Sequence, residues 1–148
     1  MNNFLNQWFD IYDKGNGVEL ESLTNDVKLQ WFDLLQLAKA EKLNAWNKCP
    51  PGRLSLILLF GPVAYLLKDN DKALHEEAKL LCIEGIRKGF DSQLKLVQRR
   101  CFYDPLFYSS KAEDHRLLLL LLKGMESQAS EDEKKAWFTW FTQASSIG

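Results

Sequence analysis

The chain has 148 residues, of which 46% are apolar and 26% charged, a mix that suits one globular domain, residues 1–148, and excludes a disordered or collagen-like chain. Lys and Arg number 19 against 20 Asp and Glu, so the formal charge is -1, which argues against a dedicated nucleic-acid binder. The three cysteines, Cys49, Cys82 and Cys101, are odd in number and widely spaced, unlike a secreted disulfide framework, and fit free thiols in a reducing cytoplasm.

The opening residues, Met1 to Asp10, lack the basic and hydrophobic regions of a signal peptide. Phe4, Leu5, Trp8, Phe9 and Tyr12 lie at helical spacing and predict a first helix over residues 3–12, ended by Gly15-Asn16-Gly17. Thr24 or Asn25 caps a second helix reaching about Lys42, with Val27, Trp31, Leu34, Leu35 and Ala38 near the helical period. A turn follows through Leu43 and Trp46. Pro50-Pro51 blocks helix before it, while Pro51 suits a helix start.

The third helix, Gly52 to about Lys68, is apolar on nearly every face and belongs at the centre of the domain. Its uncharged stretch, Leu54 to Leu67, is 14 residues long, short of the roughly 20 that span a bilayer, so no membrane span is expected. Pro62 has no N–H and its ring crowds the carbonyl of Leu58, so a bend or break is predicted at Gly61-Pro62.

Lys72 to Lys88 predicts a helix carrying Leu74, Ala78, Leu81 and Ile86, with Gly89 as its C-cap. A shorter helix is expected over Ser92 to Cys101, then a ring-rich turn or irregular loop from Phe102 to Tyr108. Ser110 with Glu113 offers a capping box for a helix from Lys111 to about Lys123, which Gly124 ends or interrupts. Ser130 with Glu133 opens the last helix, carrying Ala136, Trp137, Trp140 and Phe141. Few residues are β-branched and no hairpin turn joins alternating runs, so the expected fold is all-α with about six to seven helices.

Ala40-Glu41-Lys42-Leu43-Asn44-Ala45-Trp46, then Pro51-Gly52-Arg53-Leu54-Ser55-Leu56-Ile57-Leu58-Leu59, resembles the G-E-L-x-x-W and P-x-G-R-L-A-L-I-x-L blocks of the bacterial DUF924 family. Trp8-Phe9 is similar to the end of its F-W-F start. Arg99, Tyr103, Pro105 and Ser109 fit its R-x-F-x-Y-x-P-x-x-H-S-E stretch. The resemblance covers roughly residues 4–123 and implies an array of antiparallel helical hairpins, similar to tetratricopeptide-like folds, without bringing an activity. The family's D-Q-F-P-R-N falls on Gly61-Pro62-Val63-Ala64-Tyr65-Leu66, its His on Tyr108 and its Glu on Ser110. Its C-terminal F-G-R-F-P-H-R-N comes nearest to Trp137-Phe138-Thr139-Trp140-Phe141. The scaffold persists while the polar cleft that the resemblance implies is stripped.

Arg53 opens the most apolar helix. It reads either as an anion contact in a cleft or as a buried structural arginine, paired with an acid and packing its stem on Trp46. Arg99, Tyr103 and Tyr108, close to Asp104, read either as polar tips in one pocket or as a packed aromatic loop bonded to backbone. Trp46, Arg53, Arg99, Tyr103 and Tyr108 are thus candidates for a pocket taking a small polar ligand. Neither His75 nor His115 has a second His at i+4, so no metal site is expected. No nucleophile elbow, Cys-His pair or phosphate loop occurs, so no catalytic residue and no cofactor is assigned.

The six consecutive leucines Leu117 to Leu122 cover every direction of a helix, and Trp137, Phe138, Trp140 and Phe141 crowd the next. Such helices are either fully buried or touch both their own core and a partner. Leu118, Leu121, Leu122, Trp137, Trp140 and Phe141 are therefore candidates for a homodimer or protein-partner surface. The expectation is a cytoplasmic, non-catalytic helical binding or interaction protein. The alternative is a small-molecule sensor or enzyme using a degenerate family cleft.

Overall fold

A computed structural model describes residues 1–15, 17–136 and 142–143. These residues fall into two compact units, Met1–Leu94 and Lys95–Gly148. Among the described residues the fold is all-helical, with about eight helices and no strand, slightly more pieces than the sequence predicts. No helix among them is long and apolar enough to cross a membrane.

In the first unit, α1 (Asn2–Gly15) buries Phe4, Leu5 and Trp8. The next helix, α2 (Asn25–Lys39), starts where Thr24 Oγ1 accepts the N–H of Val27 at 3.2 Å, satisfying one of the orphan donors of a helix start. Of the stripe expected from the spacing it buries Trp31, Leu35 and Ala38, while Val27 and Leu34 are half-buried. The Trp31 ring meets Phe4 at 5.4 Å edge-on and Trp8 at 5.6 Å, so rings join α1 to α2. Trp31 Nε1 also donates to Gln7 Oε1 at 3.0 Å.

The helix α2 stops at Lys39, short of the expected Lys42, because Glu41 turns left-handed with a φ of 62°. The N–H of Lys42 then reaches Leu37 O at 2.9 Å and that of Glu41 reaches Ala38 O at 3.0 Å, the bonding of a Schellman closure. The same closure follows the helix over Lys72–Arg87, with Gly89 at a φ of 73° as the sequence predicts, and recurs at Lys68, whose φ is 61°. Lys39 Nζ then sits 2.7 Å from Asp69 Oδ2, and this hydrogen bond holds the Asp69 carboxyl below its usual range. A left-handed residue with a Cβ costs about 1–2 kcal/mol. Glu41→Gly and Lys68→Gly are each expected to raise stability by about 0.5–1 kcal/mol in urea unfolding, after the entropy cost of glycine. A lower midpoint for both would mean that their side chains hold the turns.

A short 3₁₀ segment, Asn44–Lys48, leads into α3 (Pro50–Leu58), which starts two residues before Gly52 because both prolines fit its first turn. Every residue from Gly52 to Phe60 is buried, as an all-round apolar helix requires. The predicted interruption at Gly61-Pro62 takes the form of a π turn, Leu59–Val63, followed by α4 (Ala64–Leu66). The N–H of Ala64 reaches back five residues to Leu59 O. Widening the turn moves the backbone away from the Pro62 ring and lets the chain stay helical across it. The helix α5 (Lys72–Arg87), capped by Asp71 Oδ1 on the Ala73 N–H at 3.0 Å, packs against α3 and the π turn through Leu74, Ala78, Leu81 and Cys82.

The second unit holds α6 (Leu96–Phe102), α7 (Asp104–Phe107), α8 (Ala112–Gln128) and α9 (Glu131–Ala136). The helix expected over Ser92 to Cys101 begins late, because Leu94 and Lys95 are extended after a 3₁₀ turn at Asp91–Gln93. The expected loop from Phe102 to Tyr108 is largely helical instead: Pro105 lies in the first turn of α7, where its missing N–H costs nothing. The expected capping box of α8 does not form: its N-cap is Lys111, which makes no side-chain cap hydrogen bond. Ser109, rather than Ser110, accepts the Lys111 N–H at 3.2 Å and donates to Asp114 Oδ2 at 2.5 Å. Gly124 lies inside α8 without ending it. The capping box of α9 forms as expected, with Ser130 N–H on Glu133 Oε1 at 3.0 Å and Glu133 N–H on Ser130 Oγ at 3.2 Å.

Candidate functional site

Arg53 is 1% exposed, and its charge is spent on the fold. Nη1 donates to Leu81 O at 3.0 Å and Nη2 to Asn47 O at 3.2 Å. Glu84 Oε2 lies 3.6 Å from Nη1, and the guanidinium faces the Phe90 ring at 5.4 Å. One side chain therefore ties the start of α3 to the 3₁₀ segment and to α5. This is the structural arginine with an acid partner, and Phe90, which no spacing in the sequence marks, lies under its charge. Arg53 Nε and Asn47 Oδ1 are buried without a hydrogen-bond partner.

Trp46 is half-buried, and its backbone carbonyl lies against Gly52 of α3. A Cβ built on Gly52 would lie 2.0 Å from Trp46 O. The Gly-Arg pair of the family-like block thus does two jobs at one helix start: Gly52 admits the Trp46 carbonyl, and Arg53 reaches the next backbone oxygen along.

In the second unit, Arg99 and Tyr103 come together. Arg99 is 8% exposed and Tyr103 fully buried. Arg99 donates from Nε and Nη2 to the Tyr103 hydroxyl at 3.3 and 3.2 Å, and from Nη1 to Gln128 Oε1 at 2.9 Å. Gln128 lies 29 residues along the chain, at the end of α8, and no sequence pattern links it to Arg99. Tyr108 is not buried with them: it is 70% exposed, its ring edge-on to Phe107 at 4.9 Å.

Ser109, Asp114 and His115 are close in space, yet they are not wired as a nucleophile with its base. The Ser109 hydroxyl donates to Asp114, while His115 Nε2 lies 2.5 Å from the Ser109 backbone oxygen. A catalytic serine needs its proton taken by an imidazole or amine that can also return it. Among the described residues, no group of three or more His, Cys, Asp or Glu could hold a metal ion.

The leucine run resolves into one inward ridge. Leu118 and Leu122 lie in the core with Met125, at i, i+4 and i+7, and so are corrected from surface to core. Leu121 is half-buried, and Leu120 faces out at 68% exposure. Trp137, Trp140 and Phe141 lie outside the described residues. The first unit carries an exposed apolar set absent from the sequence-based expectation: Leu29, Phe32 and Leu37 of α2 all face out, with Asp33 and Gln36 exposed among them. Their signal was available, as apolar residues off the Trp31-Leu35-Ala38 stripe.

The family model described as "Bacterial protein of unknown function (DUF924)" matches residues 4–147. No curated protein and no solved structure matches the chain.

Proposed function

The chain belongs to the DUF924 family, and we propose that it is a non-catalytic helical interaction protein that uses the outward face of α2 to associate with a second copy of itself. That face is the observation behind the reading. Leu29, Phe32 and Leu37 project away from the buried Trp31, Leu35 and Ala38, with the exposed Asp33 and Gln36 interleaved on the same side of the helix. An aromatic anchor flanked by leucines is the composition of an interface centre. Loss of the family's polar residues at 61–66 favours binding over chemistry. In the same reading the helices stack as hairpins in one cytoplasmic domain.

Sedimentation equilibrium tests this. Wild type is expected to dimerise at roughly 50 μM, and Phe32→Glu to weaken association by about thirtyfold or more, since truncated anchors cost about 2 kcal/mol. Leu120→Glu, on the exposed side of α8, is expected to leave the dimer intact. A monomeric wild type at that concentration would overturn the self-association, and an unchanged Phe32→Glu dimer would remove α2 from it.

A further inference from the structure

We propose that Arg99, Tyr103 and Gln128 bind a small oxyanion, a carboxylate or a phosphate, that supplies the counter-charge Arg99 lacks. A guanidinium stays protonated at any working pH, so burial does not neutralise it. Arg99 is nine-tenths buried, and its hydrogen-bond partners, the Tyr103 hydroxyl and the Gln128 carboxamide oxygen, are both neutral. Among the described residues no carboxylate lies within ion-pair distance of it. Arg53 makes the contrast within the same chain: buried more deeply still, it has Glu84 at 3.6 Å as well as its carbonyl acceptors. A buried charge with no opposite charge beside it carries a large desolvation cost, which an arriving anion removes.

The donors left over fit an oxyanion. A guanidinium has five N–H groups. Tyr103 takes one from Nε and one from Nη2, and Gln128 takes one from Nη1. One N–H remains on each Nη, charged donors of the kind that bind the oxygens of a carboxylate or phosphate. Gln128 is exposed, so the solvent-facing edge of the site runs past it, and its Nε2 group is a further neutral donor. Tyr103, fully buried, fixes the guanidinium plane from behind. The site uses no residue of the α2 face, so its test is independent of self-association.

Isothermal titration of the full chain, in a buffer whose only other anion is chloride, tests the site with three probes: inorganic phosphate, acetate and neutral acetamide. The expected result is saturable binding of phosphate or acetate at about millimolar strength, with no response to acetamide. Whichever anion binds tighter identifies the source, phosphate or carboxylate. Gln128→Ala, a surface change that leaves the fold in place, is expected to weaken binding several-fold. Arg99→Lys, which keeps the charge and loses the fork, is expected to weaken it about tenfold. Thermal unfolding of both variants checks that they are folded. Absence of saturable binding by either anion would overturn the site. So would equal affinity in wild type and both folded variants, which would mark a general salt effect.

Discussion

Gly52→Ala is expected to lower stability by about 3 kcal/mol, a large effect for one methyl group. The added carbon would meet the Trp46 carbonyl oxygen at 2.0 Å and its carbonyl carbon at 2.8 Å. Both are backbone atoms, so no rotamer change relieves the overlap, and the 3₁₀ segment must move off α3. That movement would also stretch the Arg53 bond to Asn47 O. Gly124→Ala is the control, because nothing lies within 4 Å of a Cβ there, and it is expected to stabilise α8 by up to about 1 kcal/mol through helix propensity. Urea unfolding followed by circular dichroism reads both. A Gly52→Ala protein as stable as wild type would mean that the 3₁₀ segment is free to give way.

Trp31→Ala is expected to cost about 4 kcal/mol. Its indole is fully buried, touches the rings of Phe4 and Trp8, and is the pivot through which α1 reaches α2. Removing it leaves a cavity bordered by two rigid rings that cannot collapse into it. Trp31→Phe keeps a ring and loses the Nε1 bond to Gln7, so it is expected to cost far less, about 1–2 kcal/mol. Chemical denaturation of the two variants side by side separates ring volume from the hydrogen bond. Equal losses would place the whole effect in the bond and contradict the packing account.

What the sequence made legible was local. Thr24, Gly89 and the Ser130-Glu133 pair act within one helical turn, and each cap forms as its residue type predicts. The Trp31-Leu35-Ala38 stripe follows from helical period alone. Glu41 and Lys68 were not legible as turns, because neither residue type prefers the left-handed region and packing on both sides sets the closure. Pro105 signals a loop by residue type yet opens α7: the same ring ends one helix and suits the start of another. In the candidate sites, the acid partner of Arg53 was foreseeable from charge burial. The pairing of Arg99 with Gln128 joins positions 29 apart and had no local trace. The leucine run misled for a different reason: six identical residues hide which way the helix faces, and only packing picked out Leu118 and Leu122.

The π turn at Leu59–Val63 has a consequence for phase. An α-helix advances about 100° per residue, and a turn closed five residues back holds one residue more than the α pattern would use. Everything after it is therefore out of step with a continuous count from Leu54. Val63 and Ala64 face inward and Tyr65, 80% exposed, faces water only because that surplus residue is absorbed. Replacing Pro62 with a good helix former is consequently no repair. If the segment tightened to the α pattern, the stretch beyond it would rotate by about 100°, carrying Tyr65 off its outward bearing and Ala64 off its inward one. Dropping one residue from the turn would instead let the backbone close normally with both flanks still aimed as they are. The central helix is thus one residue too long for its own geometry, and the wide turn stores the excess.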